Sequence, residues 1–159
     1  MHLRNSALTR ILGRWAWPAV GAAVIVLAGA AVWLGMQAAA DRREIALGRQ
    51  LYASYCAACH GAALEGQPDW QTPKEDGRMP APPHDESGHT WHHGDRELFL
   101  ITKKGMGAVV PGYESDMPAF EGILSDAEIR AVLAFIRSTW SARAREYQEE
   151  RSKAEAARP

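Results

Sequence analysis

A chain of 159 residues with 47% hydrophobic and 23% charged content has the composition of a folded protein. From Asp41 onward it is long enough for one small domain and no more. That part holds fifteen of the eighteen Lys and Arg and all nineteen Asp and Glu, a formal charge of −4 with no basic stripe, which excludes a nucleic-acid partner and implies no strongly acidic docking surface either.

The apolar residues are concentrated near the start. From Trp15 to Ala40, 26 residues, there is no charged side chain and only Gln37 is strongly polar. At about 1.5 Å per residue, a helix of that length crosses the roughly 30 Å hydrocarbon core of a bilayer. Residues 1–14 carry Arg4, Arg10 and Arg14 without an acidic residue, so the positive-inside rule places them in the cytoplasm and residues 41 onward outside it. The competing reading is a cleaved signal peptide ending at Ala38-Ala39-Ala40. The apolar stretch from Ala19 to Met36 outruns the usual h-region of about 7–15 residues, which favours a retained transmembrane anchor over residues 15–40. Either way the same domain is exported.

Residues 41–140 form the expected domain. Ile45, Gly48, Tyr52 and Tyr55 recur at spacings of three and four and share one face of a helix running into Cys56, with Asp41 as its cap. Gly48 would cost about 1 kcal/mol relative to Ala in a helix interior, which points to a packing reason such as close approach of a second helix. The helix leads into Cys56-Ala57-Ala58-Cys59-His60, and these are the only two cysteines. Cys-x-x-Cys-His is the attachment signature of a c-type haem. Two thiols about one helical turn apart can add to the two vinyl groups on one porphyrin edge, and the adjacent His60 can turn its imidazole onto the iron. Three other readings of the pair are weaker. A thioredoxin-like couple needs a βαβ context, structural zinc needs four ligands, and a disulfide closing so small a loop stabilises little.

From Gly48 to Cys56 the chain resembles the amino-terminal helix of the class I cytochromes c, with a glycine eight residues and an aromatic four residues before the first cysteine. The resemblance spans roughly Ile45 to Trp140 and is weakest from Leu64 to His93. It implies an all-α fold of about three helices and long loops around one haem, following the transmembrane helix.

Residues 66–94 are dense in Gly and Pro, including Pro68, Pro73, Pro80, Pro82 and Pro83, and read as a long loop with a flat cofactor to line. Within it, His84, His89, His92 and His93 could hold copper or zinc, since imidazole suits both. No His-x-His or helix-borne i, i+4 pair fixes a geometry, so a polar loop in which a His or Trp91 donates to a haem propionate is preferred. A short helix follows over Asp95 to Lys104, stopped by Gly105, with Leu98, Phe99 and Ile101 inward.

A second axial ligand decides the function. His60 alone leaves iron open to small molecules, whereas His plus Met closes it and raises the reduction potential. Ser115-Asp116-Met117-Pro118-Ala119-Phe120 resembles the family's axial-methionine loop, which makes Met117 the candidate ligand beside His60. Pro118 biases Met117 towards an extended backbone suited to a loop residue. Its rivals are Met79, Met106 and the four histidines.

Ser125-Asp126-Ala127-Glu128 reads as a capping box. Ile129, Val132, Leu133, Ile136 and Trp140 follow at helical spacing as a buried stripe. The resemblance makes this the helix that crosses the first, with Val132 and Phe135 against Gly48 and Tyr52. Residues 141–159 alternate charge without an apolar stripe and read as an exposed helical extension or a disordered end.

The expected protein is a monohaem c-type cytochrome on the outer, periplasmic face of the cytoplasmic membrane. It relays single electrons between membrane or periplasmic redox proteins and carries haem c and its iron on Cys56, Cys59, His60 and Met117. The alternatives are a haem sensor or peroxidase-like module with an open sixth position, and a metal-handling protein using His84 to His93. No distal catalytic set stands out, so an electron-transfer protein is preferred to an enzyme.

Overall fold

The computed structural model describes the backbone of residues 6–157 and the side chains of residues 20–157. It contains α1 (Ser6–Tyr55), α2 (Ala57–His60), α3 (Asp95–Lys104), α4 (Asp126–Ser138) and α5 (Ala142–Ala156), with short 3-10 turns at Thr90–His92 and Met106–Ala108. The described residues are thus all-helical, with no strand. The chain divides into two compact units, Met1–Arg42 and Arg43–Pro159.

From Val20 to Met36 of the first unit the large apolar side chains are uncovered, with Ile25 74% exposed and Val26 and Leu27 both 70%. Gly21, Gly29 and Gly35 have open space around them. This stretch of α1 is long and apolar enough to cross a membrane. Arg4 lies outside the described residues, as do the side chains of Arg10 and Arg14. Asp41 does not cap a helix, because α1 passes through it without a break. The physical reason is local: Ala38 to Ala40 and Arg42 to Glu44 are strong helix formers, and no Gly or Pro interrupts them.

In the second unit, the last turns of α1 lie against α4. Gly48 is buried, and a Cβ placed there would overlap the Ala131 carbonyl and come within 2.9 Å of the Phe135 Cβ. One turn on, the Tyr52 and Phe135 rings lie 5.4 Å apart. Tyr52, Leu64, Val132, Phe135, Ile136 and Trp140 form the main core cluster. Phe120, Leu124 and Ile129 form a second, with Leu51, Phe99 and Leu133 packed against it. The expected close approach at Gly48 is therefore present, to Ala131 and Phe135 rather than Val132.

α4 begins on the expected capping box. Ser125 Oγ accepts from the Glu128 N–H at 3.3 Å, and Glu128 Oε2 accepts from the Ser125 N–H at 2.8 Å. The helix ends at Ser138, so Trp140 lies beyond it, yet remains buried and donates from Nε1 to the His84 carbonyl at 2.8 Å. α3 has the expected bounds and stops at Gly105, whose φ of +81° favours glycine. Its buried residue is Thr102, while Leu98, Phe99 and Ile101 are half-buried.

Residues after Trp140 take the helical of the two expected forms and remain mostly exposed, but they are not free of the domain. They form α5, which packs on the Thr90–His92 turn and on α3 and contributes Ala144 to the main core. No apolar stripe signalled this, because the contact is made chiefly by polar groups.

Candidate functional site

α1 delivers the chain directly into the Cys-x-x-Cys-His string. Cys56 N–H donates to the Tyr52 carbonyl at 2.9 Å, and His60 N–H to the Cys56 carbonyl at 2.9 Å. Cys56, Cys59 and His60 therefore sit on consecutive helical turns and line one cavity. The phenol of Tyr52, 2% exposed, secures the turn from beneath by donating to the Gly61 carbonyl at 2.9 Å.

His60 is 7% exposed, and its Nδ1 lies 2.9 Å from the Pro82 carbonyl. A carbonyl only accepts, so Nδ1 carries the hydrogen. Burial pushes the His60 pKa down, and the hydrogen bond to Pro82 only partly opposes it. The ring is therefore a neutral imidazole at neutral pH with its Nε2 lone pair free, the state required of a metal ligand oriented by its other nitrogen. Burial, and then the neighbouring Cys59, pushes the Cys56 thiol up to about 11. A thiol held neutral in this way lacks the lowered pKa of reactive cysteines in a redox couple.

The cavity encloses about 420 Å³, within the range of about 300–1,000 Å³ usual for small-molecule and cofactor sites. Leu98 and Ile101 of α3 and Val132, Leu133 and Ile136 of α4 give it apolar walls, and Pro80 to Pro82 of the long loop close another side. This is why Leu98 and Ile101 are only half-buried. Tyr55 stands at the cavity with its ring edge-on to Phe120, 6.2 Å between centroids.

Met117 lines the same cavity, and so do its rivals Met79 and Met106. The segment of Met117 is held on both sides. Asp116 forms ion pairs with Lys74 and with Arg78, the latter at 2.8 Å. Hydrogen bonds from Lys74 and then Arg78 hold the Asp116 carboxyl below its ordinary pKa. Met117 N–H donates to Ser115 Oγ at 3.1 Å. On the far side, Phe120 N–H donates to the Thr102 carbonyl at 3.1 Å and Glu121 N–H to the Lys103 carbonyl at 2.9 Å. Met117 is thus fixed from both flanks, as is Met79, between Arg78 and an Ala81 whose N–H and carbonyl both bond to Gln67 at 2.9 Å, whereas Met106 begins a 3-10 turn after Gly105.

The histidines divide. His84, His89 and His93 line the cavity and His92 does not. The His84 ring stacks on His60 at 4.0 Å between centroids and 22° between planes. Rings stacked this closely leave no room for a flat cofactor between them, so His84 would not share one with His60 as a second ligand. His84 Nδ1 lies 2.8 Å from Thr90 Oγ1, which donates onward to the Pro83 carbonyl at 3.4 Å. Desolvation, followed by His60 and His89, lowers the His84 pKa well below the ordinary value. Trp91 does not line the cavity; it packs against His92 and Tyr147, and its Nε1 is buried without a partner among the described residues. Among the described residues, no three His, Cys, Asp or Glu side chains converge to hold a metal ion.

Several contributors carried no sequence signal. The Pro82 carbonyl lies 22 residues from His60, and the Tyr52 hydroxyl, the Thr90 relay and the Trp140 contact with His84 depend equally on how the loop closes. A neutral, oriented imidazole and two thiols on one wall of an apolar cavity are a donor set that fits a covalently held haem.

No curated protein and no solved structure matches the chain. The family model described as cytochrome c matches residues 45–140, which covers the last turns of α1, the cavity walls and α4. The chain belongs to the cytochrome c family, whose members carry covalently attached haem c with its iron and transfer electrons.

Proposed function

We propose that this protein is a one-electron carrier with a single haem, attached through Cys56 and Cys59 and ligated by His60 and Met117, and that it is not an enzyme. The observation that carries the ligation is the pairing of His60, neutral and oriented by Pro82, with Met117, pinned at Asp116 and at Phe120, on one cavity. Iron supplies reversible one-electron chemistry. The chain's residues would hold it in an apolar enclosure, and ligation by the Met117 thioether together with the His60 imidazole would favour the reduced state and leave no position open to exogenous ligands. The anchor reading rests on the uncovered apolar stretch of α1. It places residues 1–14 in the cytoplasm, residues 15–40 in the membrane and the haem domain on the extracytoplasmic side, facing membrane or periplasmic redox proteins as donor and acceptor.

Met117→Ala tests this reading in the full-length protein. Haem should remain attached, because Cys56, Cys59 and His60 are untouched. The reduction potential should fall, and the reduced iron should begin to bind carbon monoxide. Met79→Ala and Met106→Ala should do neither. Wild-type protein that already binds carbon monoxide would replace the carrier with a sensor or a catalytic module. In the same preparations, the protein should stay with the membrane fraction through an alkaline wash; release would overturn the anchor alone.

A further inference from the structure

The family match ends at Trp140, so α5 is an addition to the part of the chain that it describes. α5 reaches the cavity wall by an unusual route. The first four N–H groups of any α-helix lack intrahelical acceptors and need capping. α3 has Gly94 at its N-cap, with no side chain to accept from them. α5 supplies the acceptors instead. The Asp95 N–H donates to Ser152 Oγ at 3.0 Å and the Arg96 N–H to Glu155 Oε2 at 3.0 Å. Gly94 itself is buried against Glu155, whose carboxyl carbon would lie 3.0 Å from a Cβ at that position.

Gln148 completes the junction. It is 1% exposed, and its Nε2 donates to Asp95 Oδ1 at 2.7 Å and to Ser152 Oγ at 3.0 Å. Ser152 Oγ donates in turn to the Gln148 carbonyl at 3.0 Å. The serine hydroxyl thus makes one donation and two acceptances, which is its full capacity. Arg151 Nε donates to the His92 carbonyl at 3.2 Å, and the Tyr147 ring meets Trp91 at 5.3 Å. The segment held in this way carries His89, His93, Glu97, Leu98, Ile101 and Thr102, all of which line the cavity.

We propose that α5 is a positioning element for the haem wall, and that Gln148, Ser152 and Glu155 are positioning residues acting through the first turn of α3. The proposal rests on the reading of this cavity as the haem site. Without the borrowed cap the first turn of α3 frays, the wall at Leu98 loosens, and water reaches the iron's surroundings. Solvent exposure is one of the factors that sets a haem potential, and greater exposure stabilises the more highly charged oxidised form.

The test uses full-length holoprotein carrying Ser152→Ala with Glu155→Ala. Amide hydrogen exchange at Asp95 and Arg96 should accelerate about tenfold or more, as expected for loss of net hydrogen-bond contributions of about 0.5–1.5 kcal/mol each. The reduction potential should move to lower values while the haem stays attached. Ser152→Thr with Glu155→Gln keeps both acceptors and should restore both readouts. Lys153→Ala, which removes an ion pair within α5, should change neither. Should the double Ala variant fail to fold, Ser152→Ala alone carries the test with the same two readouts. Unchanged exchange, or faster exchange with an unshifted potential and spectrum, overturns the proposal. Failure of the haem-site reading would already be visible in the wild-type protein, as haem lacking thioether attachment or sulfur ligation.

Discussion

Two helix contacts build the haem-domain unit by opposite means. Where α1 meets α4, a missing side chain at Gly48 lets Ala131 approach and aromatic rings fill the turn beyond it. Where α5 meets α3, apolar contact is slight and the fit is made by Ser152 and Glu155 against backbone N–H groups and by Gln148 against the Asp95 carboxylate. The first contact leaves its mark on the sequence as a periodic stripe. The second leaves none, because a Ser and a Glu that cap another helix look like any other residues of a solvated face. Apolar periodicity therefore locates what is buried by hydrophobic transfer and overlooks what is buried by satisfying backbone donors.

The comparison can be broken most forcefully at Gly48. Gly48→Ala places a Cβ against the Ala131 carbonyl, which is backbone and has little freedom to yield. Overpacking should cost about 1–3 kcal/mol, enough to lower the unfolding midpoint by several degrees in denaturation followed by circular dichroism. An unchanged midpoint would mean that the crossing is looser than described.

Ser125→Ala sharpens the contrast between a helix that caps itself and one that borrows its cap. It removes the α4 capping box at a cost of about 1 kcal/mol, and faster amide exchange should be confined to the first turn of α4. Spread of that effect to Asp95 and Arg96 would show the two caps to be coupled.

The smallest expected effect is at His89, on the wall that α5 supports. Its pKa is lowered by desolvation, then by His93 and His92. The unfolded chain therefore takes up a proton, near the unperturbed value of about 6.5, before the folded one does. The contribution is present above that pH and is lost as pH falls towards the lower folded pKa. Because His89 is exposed, the loss should be slight. His89→Asn should flatten the stability profile in that window, and a variant profile identical to wild type would remove His89 from the account.

Much of the domain could be read from residues alone where one local rule decided it. Gly105 stops α3, Ser125 and Glu128 open α4, and Cys56-x-x-Cys59-His60 names the cofactor. Asp41 misled because a good capping residue is only a preference, and strong helix formers on both sides carried α1 through it. The packing of Trp91 onto Tyr147 was not legible, because a loop residue's direction depends on closure of the whole loop. The Pro82 carbonyl and the α5 junction were hidden for a related reason: both join groups far apart in the chain through polar contacts that have no period.

The fastening of the Met117 segment has a kinetic side. Its anchor beyond Met117 is backbone hydrogen bonding at Phe120 and Glu121, but its anchor before Met117 is the pairing of Asp116 with Lys74 and Arg78, all of them well exposed to solvent. Charges so placed are screened over about 10 Å at 0.1 M salt and over shorter distances as salt rises. Ionic strength therefore acts on one end of the segment and spares the other.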